Sequence, residues 1–470
     1  MTEKGPSLSR IVAFHTLMDV EQNASQGSAE RLDYWIRRMD ASEKDARLAS
    51  ALVYGVLRNK LFLDFQYAPH LRAAPSRLSR ASRVLLRMAA AQKFLFTRLP
   101  AHAVANESVE LARRDAGMRE RGTRFINAIV RRILSAAEPR LPDPADRDER
   151  MSVEYSIPRW LLGLMMNKFG AELTGNLLAA QNGEPPAALR ANALRGAAAQ
   201  LARELASLGI AARAGELAPQ ALVLEHTGML GAALATPLFA AGRFYVQDEA
   251  SQLVSHIACP REGERILDMC AAPGGKTTHL AEFSGGRALI TATDASPARL
   301  GLLRDNVERL GTPGIEVMTM EDALARARSG GICGGGLYDL VLADAPCSGL
   351  GTIRRHPEIR YRRSMESVKR CASEQLQLLR AAVSVLAPGG RIVYSTCTVS
   401  DEENAAVIKE FLGEHTALEI DLRPRTLAAV NALRCGDGFF RTWPRFPRMD
   451  GFESVILRVA PRLTASLHQV

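Results

Sequence analysis

The sequence predicts a multidomain protein with an all-α amino-terminal bundle, a small mixed α/β intermediate region and a carboxyl-terminal α/β domain built on a doubly wound, Rossmann-like parallel sheet. Apolar residues recur at intervals of three and four from residue 8 to about 136, which predicts helices. Beyond about residue 246, short apolar strands alternate with helical stretches, which is typical of a parallel sheet. The length of 470 residues agrees with several domains.

The boundaries follow from changes in composition along the chain. LPDPADRDER is rich in proline and charge and has no apolar face, so we interpret it as a linker. The predicted segments are a helical domain at 1–140, a linker at 141–152, an intermediate region at 153–245, an α/β domain at 246–460 and a tail at 461–470. Five internal strands are predicted in the α/β domain at RILDM, ALITATD, IEVMTM, YDLVLAD and RIVYST, and SVILRV is predicted to close the sheet.

Composition excludes several classes of protein. With 47% apolar and 24% charged residues, the chain is an ordinary globular protein. The apolar run near the start is interrupted by His15 and Asp19, and no stretch reaches the length of a membrane span, so we expect a cytoplasmic protein with no membrane partner. The seven cysteines include no C-x-x-C pair, so we expect reduced thiols and no metal. We also expect a monomer.

Positive charge is concentrated in one part of the chain. Residues 51–140 hold 17 Lys and Arg against 6 Asp and Glu, an excess of 17 − 6 = +11, whereas the whole chain carries +9. A polyanion such as RNA would bind this surface. A solvated, arginine-rich helical surface is the alternative, and the charge alone does not choose between them.

The first predicted strand of the α/β domain ends in a glycine-containing loop, Asp268-Met-Cys-Ala-Ala-Pro-Gly-Gly-Lys-Thr-Thr. A phosphate loop would need glycine at position 270, where the chain has cysteine, and the dinucleotide pattern G-x-G-x-x-G is also absent. We therefore interpret the loop as a turn that lets a ligand approach the backbone.

Acidic residues near the ends of the next two strands indicate the class of ligand. Asp294 follows Gly275 by 19 residues, a spacing that suits hydrogen bonds to ribose hydroxyls. Asp322 is predicted to end the third strand and is a candidate for the adenine amino group. The series predicts a nucleoside cofactor without phosphates, namely S-adenosylmethionine.

Two thiols follow the fourth and fifth strands. Cys347 lies in Asp344-Ala-Pro-Cys, and Cys397 follows Thr396. A lone cysteine is usually a small buried apolar residue, but two at adjacent strand ends indicate chemistry. C5 of cytosine is a weak nucleophile, and a thiolate that adds to C6 makes C5 electron-rich. Asp344 is then the candidate proton donor to N3, which requires a protonated carboxyl, and the second thiol is the candidate base.

A basic run follows the Cys347 loop directly. We interpret it as a binding site for phosphates that flank a target base, with an exposed helix face as the alternative. Its members are Arg354, Arg355, Arg360, Arg362, Arg363, Lys369 and Arg370.

At these motifs the chain resembles the Sun-type RNA cytosine-C5 methyltransferases, most closely the bacterial small-subunit ribosomal RNA enzymes. The matching segments are FYVQDEASQLV, ILDMCAAPGGKTTHLA, DAPCSGLGTIRRHPEIR and YSTCTVSDEEN. The resemblance implies that Cys397 is the nucleophile, that Cys347 assists product release and that Lys276 approaches the cytosine. It also implies a cofactor pocket formed by Cys270, Ala271, Ala272, Pro273, Gly274, Gly275, Lys276, Asp294, Asp322 and Asp344.

The resemblance extends to the amino-terminal region. KDARLASALVYGVLRNK and RFINAIVRRIL resemble the NusB-like RNA-binding module of the ribosomal enzymes, while YSIPRWL and LRANALR resemble their intermediate region. Glu453 departs from the apolar or aromatic residue usual in the family. Three functions stay open: this chemistry on ribosomal RNA, the same chemistry on transfer or another RNA, and a non-catalytic RNA-binding assembly factor. The intact thiol pair argues against the third.

Overall fold

The computed structural model describes residues 6–23, 27–96, 99–329 and 337–460. It divides into two compact units. The first contains Met1–Gly183 and Ile353–Arg362, and the second contains Glu184–Thr352 and Arg363–Val470. The predicted tail at 461–470 lies outside the described residues.

The first unit is helical, as its apolar periodicity predicts. Seven helices share one core formed by buried residues such as Phe14, Leu52 and Ile129. Serine side chains cap two of these helices: Ser42 accepts a hydrogen bond from the amide of Asp45, and Ser79 from that of Ser82. The helices are α1 Leu8–Gln22, α2 Ser28–Arg38, α3 Glu43–Arg58, α4 Lys60–Tyr67, α5 Arg80–Phe94, α6 Ala101–Arg114 and α7 Glu120–Ser135.

Three more helices follow in this unit: α8 Arg147–Glu154, α9 Arg159–Phe169 and α10 Ala171–Gln181. Helix α8 begins inside the segment predicted as a linker, so that prediction is wrong for the second half of 141–152. The reason is local. Asp146 caps the helix by accepting from the amide of Glu149, and acidic residues in the first turn interact favourably with the helix dipole.

The second unit begins with a four-stranded antiparallel sheet in the order β2-β3-β1-β4. Its strands are β1 Ala188–Ala191, β2 Ala212–Ala214, β3 Ala221–Leu224 and β4 Phe244–Val246. Helix α11, Ala198–Ser207, contributes Leu201 and Leu205 to the core that covers this sheet. Two short helices, α12 Met229–Leu234 and α13 Pro237–Ala240, precede β4.

A second sheet follows, in the order β10-β12-β9-β8-β5-β6-β7, and β11 pairs with β12. Strands β5 to β9 run parallel to one another, whereas β12 is antiparallel to β9. All six predicted strands are confirmed. The strands are β5 Arg265–Asp268, β6 Leu289–Thr293, β7 Ile315–Met318, β8 Tyr338–Asp344, β9 Leu386–Thr396, β10 Leu418–Ile420, β11 Phe440–Arg441 and β12 Glu453–Val459.

Apolar side chains on both sides of the central strands cover both faces of this sheet. Leu340 and Leu342 of β8 belong to one apolar cluster, and Val341 and Ala343 belong to another. Because successive side chains of a strand point to opposite faces, each cluster covers one face. The helices of this domain are α14 Glu249–Ala258, α15 Gly275–Phe283, α16 Pro297–Leu310, α17 Met320–Ser329, α18 Ile359–Arg362, α19 Met365–Val383, α20 Ala405–Glu414 and α21 Ala428–Ala432.

Helix α18 belongs to the segment Ile353–Arg362, which is part of the first unit. There Glu358 accepts hydrogen bonds at 3.0 Å from the amide and the hydroxyl of Ser28. The Tyr361 hydroxyl donates to the carbonyl of Ser156 at 2.8 Å. None of the described helices is long and apolar enough to cross a membrane.

Candidate active site

The candidate functional residues predicted from the sequence gather at the carboxyl ends of the parallel strands. Strand β8 lies between β5 and β9, and Asp344 pairs in register with Ser395. The fourth and fifth predicted strands are therefore neighbours, as expected. This edge is where open α/β sheets bind their ligands.

The loop from Cys270 to Lys276 connects β5 with α15. Helix α16 holds its backbone, because Arg299 Nη2 donates to the carbonyl of Ala272 at 2.5 Å and Asn306 Nδ2 donates to that of Pro273 at 2.9 Å. Gly274 has a φ of +108°, a conformation that disfavours any side chain. The expected glycine-dependent turn is present.

Lys276 and Asp344 form an ion pair beside this loop. Lys276 Nζ lies 2.7 Å from Asp344 Oδ2 and 5.1 Å from the centre of the Phe452 ring. Burial lowers the pKa of Lys276, but the adjacent carboxylate of Asp344 outweighs this and the net pKa is raised. The lysine therefore carries an ammonium at neutral pH, and it can donate a proton or a hydrogen bond to a ligand.

Asp268, at the end of β5, is a further buried acid near this pair. It is fully buried, and its Oδ2 accepts from Thr277 Oγ1 at 2.7 Å, while its Oδ1 has no hydrogen-bond partner. Burial, together with the nearby charge of Asp344, raises the pKa of Asp268 to about 7. Burial likewise raises the pKa of the Cys270 thiol, so this third cysteine of the strand edge stays protonated.

The two acids predicted to bind the nucleoside have different surroundings. Asp294 is buried, and its Oδ2 makes no hydrogen bond, although Arg299 Nη1 lies 3.4 Å away. Asp322 does not end the third strand, which stops at Met318; it lies in the first turn of α17 and is exposed. Thr319 causes this difference, since it donates to the Asp322 carboxylate, accepts from the Asp322 amide and so starts the helix.

A cavity of about 220 Å³ opens beside the loop and the ion pair. Of the predicted cofactor-pocket residues, Gly274, Asp294 and Asp322 do not line this cavity, and the others do. It is also lined by side chains that the sequence analysis missed, namely Tyr245, Val246, Gln247 and Ser251. The segment FYVQDEASQLV that contains them is one of the family matches. Their position in that motif was the signal in the sequence that could have identified these residues.

Arg190 of β1 is a second residue that sequence reasoning missed. It is completely buried, and it donates to Gln247 Oε1 at 2.6 Å, to Glu282 Oε1 at 2.7 Å and to the carbonyl of Gly275. It thereby joins the four-stranded sheet to the cofactor loop. Only its place in the match LRANALR could have indicated a role.

The two thiols are adjacent. The Cys347 and Cys397 sulfur atoms lie 3.3 Å apart across 50 residues of sequence. The hydrogen bond between the thiols, together with burial, raises the pKa of Cys347 well above its ordinary value. Cys347 thus keeps its proton at neutral pH.

The carboxylate of Glu403 lies behind the thiol pair and was not predicted. It is fully buried and accepts hydrogen bonds from the amide and the hydroxyl of Ser348 and from Thr398 Oγ1. Its motif, YSTCTVSDEEN, contains three acids in succession, and nothing in the sequence distinguishes this one.

Three of the seven members of the basic run after Cys347 bind main-chain carbonyls: Arg360, Arg362 and Arg363. Arg360 is completely buried and donates to the carbonyls of Tyr155 and Gln181 and to Asn182 Oδ1. Arg362 donates to the carbonyls of Val20 and Asn23. The prediction is wrong for these arginines, and so is the alternative of an exposed helix face, because main-chain carbonyls of the first unit bind the guanidinium groups.

Arg363 also has a structural role, since its Nε donates to the carbonyl of Ser348 at 3.0 Å. Lys369 and Arg370 of α19 are exposed and remain available to an anion. Glu453, the departure from the family pattern, is buried and accepts from Arg441 Nε at 2.8 Å, so an ion pair accommodates it.

Comparison with known proteins gives three family matches. A family described as 16S rRNA methyltransferase RsmB/F matches residues 256–458, the NusB family matches 7–135, and the ferredoxin-like domain of RsmF/B-like methyltransferases matches 157–230. Probable ribosomal RNA small subunit methyltransferase B of Bacillus subtilis (strain 168) is 32% identical over 446 residues, which cover 94% of this chain and 97% of the relative. This chain belongs to the ribosomal RNA small subunit methyltransferase B family.

Other relatives agree. Ribosomal RNA small subunit methyltransferase B of Erwinia tasmaniensis is 33% identical over 425 residues, covering 90% of this chain and 95% of that protein. A crystal structure of a methyltransferase homolog from Pyrococcus horikoshii is similar over 67% of this chain and 99% of its own, with 25% identity and a TM-score of 0.55. The crystal structure of PH0851 shares the fold, with a TM-score of 0.77 over 97% of this chain and 99% of that one at 24% identity.

Family membership confirms the resemblance seen in the motifs and the three-part fold: a NusB domain, a ferredoxin-like intermediate domain and a Rossmann-type methyltransferase domain. The chain is therefore an RNA methyltransferase, and the family implies S-adenosylmethionine as the methyl donor. The residues at the strand edge fit this donor, because Asp294 Oδ2 is a buried acceptor without a hydrogen bond and a ribose hydroxyl can supply the missing proton.

Proposed function

We propose that this protein methylates C5 of a cytosine in small-subunit ribosomal RNA through a covalent thiol adduct. The observation that carries the proposal is the 3.3 Å contact between Cys347 and Cys397, at a strand edge shared with the ion pair of Lys276 and Asp344. Direct methylation of a ring nitrogen or hydroxyl would need no thiol. Addition and elimination at the C5–C6 bond need one thiol as the nucleophile and a base beside it, and the thiol pair can supply both.

Cys397 acts as the nucleophile. Its thiolate forms a bond to C6, and the electron pair of the C5–C6 double bond moves into the ring toward N3. Its position supports this assignment, because Cys397 directly follows Thr396 in the segment YSTCTVSDEEN, which resembles the nucleophile motif of the family.

Lys276 and Asp344 bind the pyrimidine edge. The ammonium of Lys276 supplies the hydrogen bond that stabilises negative charge at N3. The lysine is then the donor to N3 in place of the protonated Asp344 that the sequence suggested. S-adenosylmethionine supplies the methyl group to C5 when it is bound. The residues that would hold it are Cys270 to Lys276 and the carboxylates of Asp294, Asp322 and Asp344.

Cys347 completes the reaction. After C5 carries the methyl group, a base must remove the C5 proton, the C5–C6 double bond forms again and the bond from C6 to Cys397 breaks. Cys347 Sγ lies next to the leaving sulfur and acts as the base in this step: it passes its own proton to the departing Cys397 sulfur and takes up the C5 proton.

The names of the relatives support ribosomal RNA as the substrate. The test is bisulfite sequencing of ribosomal RNA from cells with and without the gene. One cytosine of the small-subunit RNA should be protected only when the gene is present, and complementation with Cys397→Ala should not restore protection.

The purified protein should also methylate small-subunit RNA. Equal methylation of transfer RNA, with no protected ribosomal cytosine in cells, would favour the same chemistry on another RNA. Full rescue of a deletion phenotype by Cys397→Ala would favour an assembly factor that needs no catalysis.

A further inference from the structure

Glu403 connects the two thiol-bearing loops. Its Oε1 accepts from the amide of Ser348 at 2.7 Å, and its Oε2 accepts from Thr398 Oγ1 at 3.0 Å and from the Ser348 hydroxyl. Ser348 follows Cys347 and Thr398 follows Cys397. One carboxylate therefore binds the residue after each thiol, and the two hydroxyls also contact each other at 2.8 Å.

The surroundings hold this carboxylate in place. Gln375 Nε2 donates to Glu403 Oε1 at 3.3 Å and to the carbonyl of Pro346 at 2.9 Å, and the Tyr394 hydroxyl donates to the Glu403 carbonyl at 2.5 Å. Burial raises the pKa of Glu403, and the hydrogen bonds from Ser348 and Thr398 oppose that effect. A buried acid with four donors around it is a fixed part of the site.

The two loops depend on Glu403 to different degrees. The Cys397 loop has other supports, because Asn404 Nδ2 donates to the carbonyl of Thr398 at 3.2 Å and the amide of Gly351 donates to that of Cys397 at 2.9 Å. The Cys347 loop also has other supports, since Arg363 Nε and Gln375 Nε2 donate to the carbonyls of Ser348 and Pro346. Ser348, however, gives both its amide and its hydroxyl to Glu403, so removal of the carboxylate takes two hydrogen bonds from the Cys347 loop and one from the Cys397 loop.

We propose that Glu403 is a positioning residue that sets the Cys347 thiol against Cys397, so that the covalent RNA adduct can be released. The inference rests on the proposed function, since it assigns the residue to one step of that reaction. Glu403 does not touch the base. It acts through Ser348 and Thr398.

The first experiment measures the placement of the thiols without RNA. Diamide oxidises two adjacent thiols to a disulfide and is itself reduced to the hydrazine, which takes up both protons and both electrons. Mass spectrometry after alkylation of the remaining thiols then reports how fast Cys347 and Cys397 become joined in wild type, Glu403→Ala, Glu403→Gln and the control Glu402→Ala. Glu402 is the matched control because its Oε2 accepts from Ser400 Oγ, three residues beyond Cys397, rather than from Ser348 or Thr398.

Glu403→Ala should form the disulfide about tenfold more slowly than wild type, because displaced groups lose the advantage of proximity. Glu403→Gln keeps one acceptor oxygen and should recover most of the rate, and Glu402→Ala should match wild type. The melting temperature and the S-adenosylmethionine affinity report whether each variant is folded. If Glu403→Ala does not fold, Glu403→Asp, which shortens the side chain and keeps its charge, should show the same slowing.

The second experiment follows RNA on a denaturing gel. Glu403→Ala should accumulate a methylated covalent adduct, with release slowed by about 100-fold, although the Cys347 thiol is present. The inference is overturned if folded Glu403→Ala forms the disulfide and releases RNA at wild-type rates. Glu403→Asp decides in the same way if Glu403→Ala does not fold. If Cys347→Ala traps no adduct and wild type makes no 5-methylcytosine, the proposed function itself fails, and the diamide experiment still decides the role of Glu403.

Discussion

Lys276 Nζ and Asp344 Oδ2 lie 2.7 Å apart at the carboxyl ends of neighbouring strands, where a loop cysteine, the Cys347–Cys397 pair and a buried aspartate also meet. The pair explains how a buried lysine keeps its charge. Burial alone would lower its pKa, and the carboxylate reverses that effect.

The first prediction tests this pair. In Asp344→Asn the ammonium loses its anionic partner while its burial remains, so the pKa of Lys276 should fall and the basic limb of the pH–rate profile should move to lower pH. The rate of methyl transfer should drop by about 100-fold or more, as for the loss of a positioned acid–base group. An unchanged basic limb in this variant would show that Lys276 does not act in its charged form.

The second prediction separates the two acids assigned to the nucleoside. S-adenosylmethionine at about 100 times its dissociation constant should stabilise the wild type by about 2.7 kcal/mol. Asp294→Ala should remove most of the thermal shift, because Asp294 is buried with an acceptor that makes no hydrogen bond. Asp322→Ala should remove less, because Asp322 is exposed and bonded to Thr319. A response to ATP equal to that of S-adenosylmethionine would contradict the cofactor assignment.

The third prediction concerns the excess of positive charge in residues 51–140. Arg121, Arg131 and Arg132 of α7 are exposed, and their change to glutamine should lower RNA affinity. The slope of the logarithm of the binding constant against the logarithm of the salt concentration should become shallower by roughly 0.7 to 0.9 for each phosphate that is no longer neutralised. Arg203→Gln with Arg213→Gln, both exposed and outside the NusB match, is the control for a general loss of positive charge. Equal slopes for wild type and the α7 variant would show that this charge is a solvated surface.

The fourth prediction tests the structural role of Arg360. Arg360→Met leaves buried carbonyls without a donor, which costs about 1–3 kcal/mol for each group, so the variant should be clearly destabilised in chemical unfolding. Arg370→Met, on an exposed position of α19, should change stability by no more than about 0.5 kcal/mol. If Arg360→Met kept wild-type stability and instead weakened RNA binding, the phosphate-site interpretation of the basic run would return.

The sequence predicted the strand edge well because its signals are local. Apolar alternation locates β8 and β9, and the thiols directly follow strands that had to be neighbours in a doubly wound sheet. Glu403 and Arg190 could not be predicted in this way, since their roles depend on partners 55 and 92 residues away. Arg360 and Arg362 were misread for the same reason. In the sequence, a run of arginines resembles an RNA-binding surface. Only the structure shows the main-chain carbonyls that bind the guanidinium groups.

The central claim is that Cys397 attacks the base and Cys347 acts in release. The most direct measurement compares the two alanine variants, incubated with S-adenosylmethionine and small-subunit ribosomal RNA, on a denaturing gel that detects covalent complexes. Cys397→Ala should form no adduct and transfer no methyl group, whereas Cys347→Ala should accumulate an adduct that contains methylated RNA. An adduct trapped by Cys397→Ala, with none from Cys347→Ala, would contradict the assignment and exchange the roles of the two thiols.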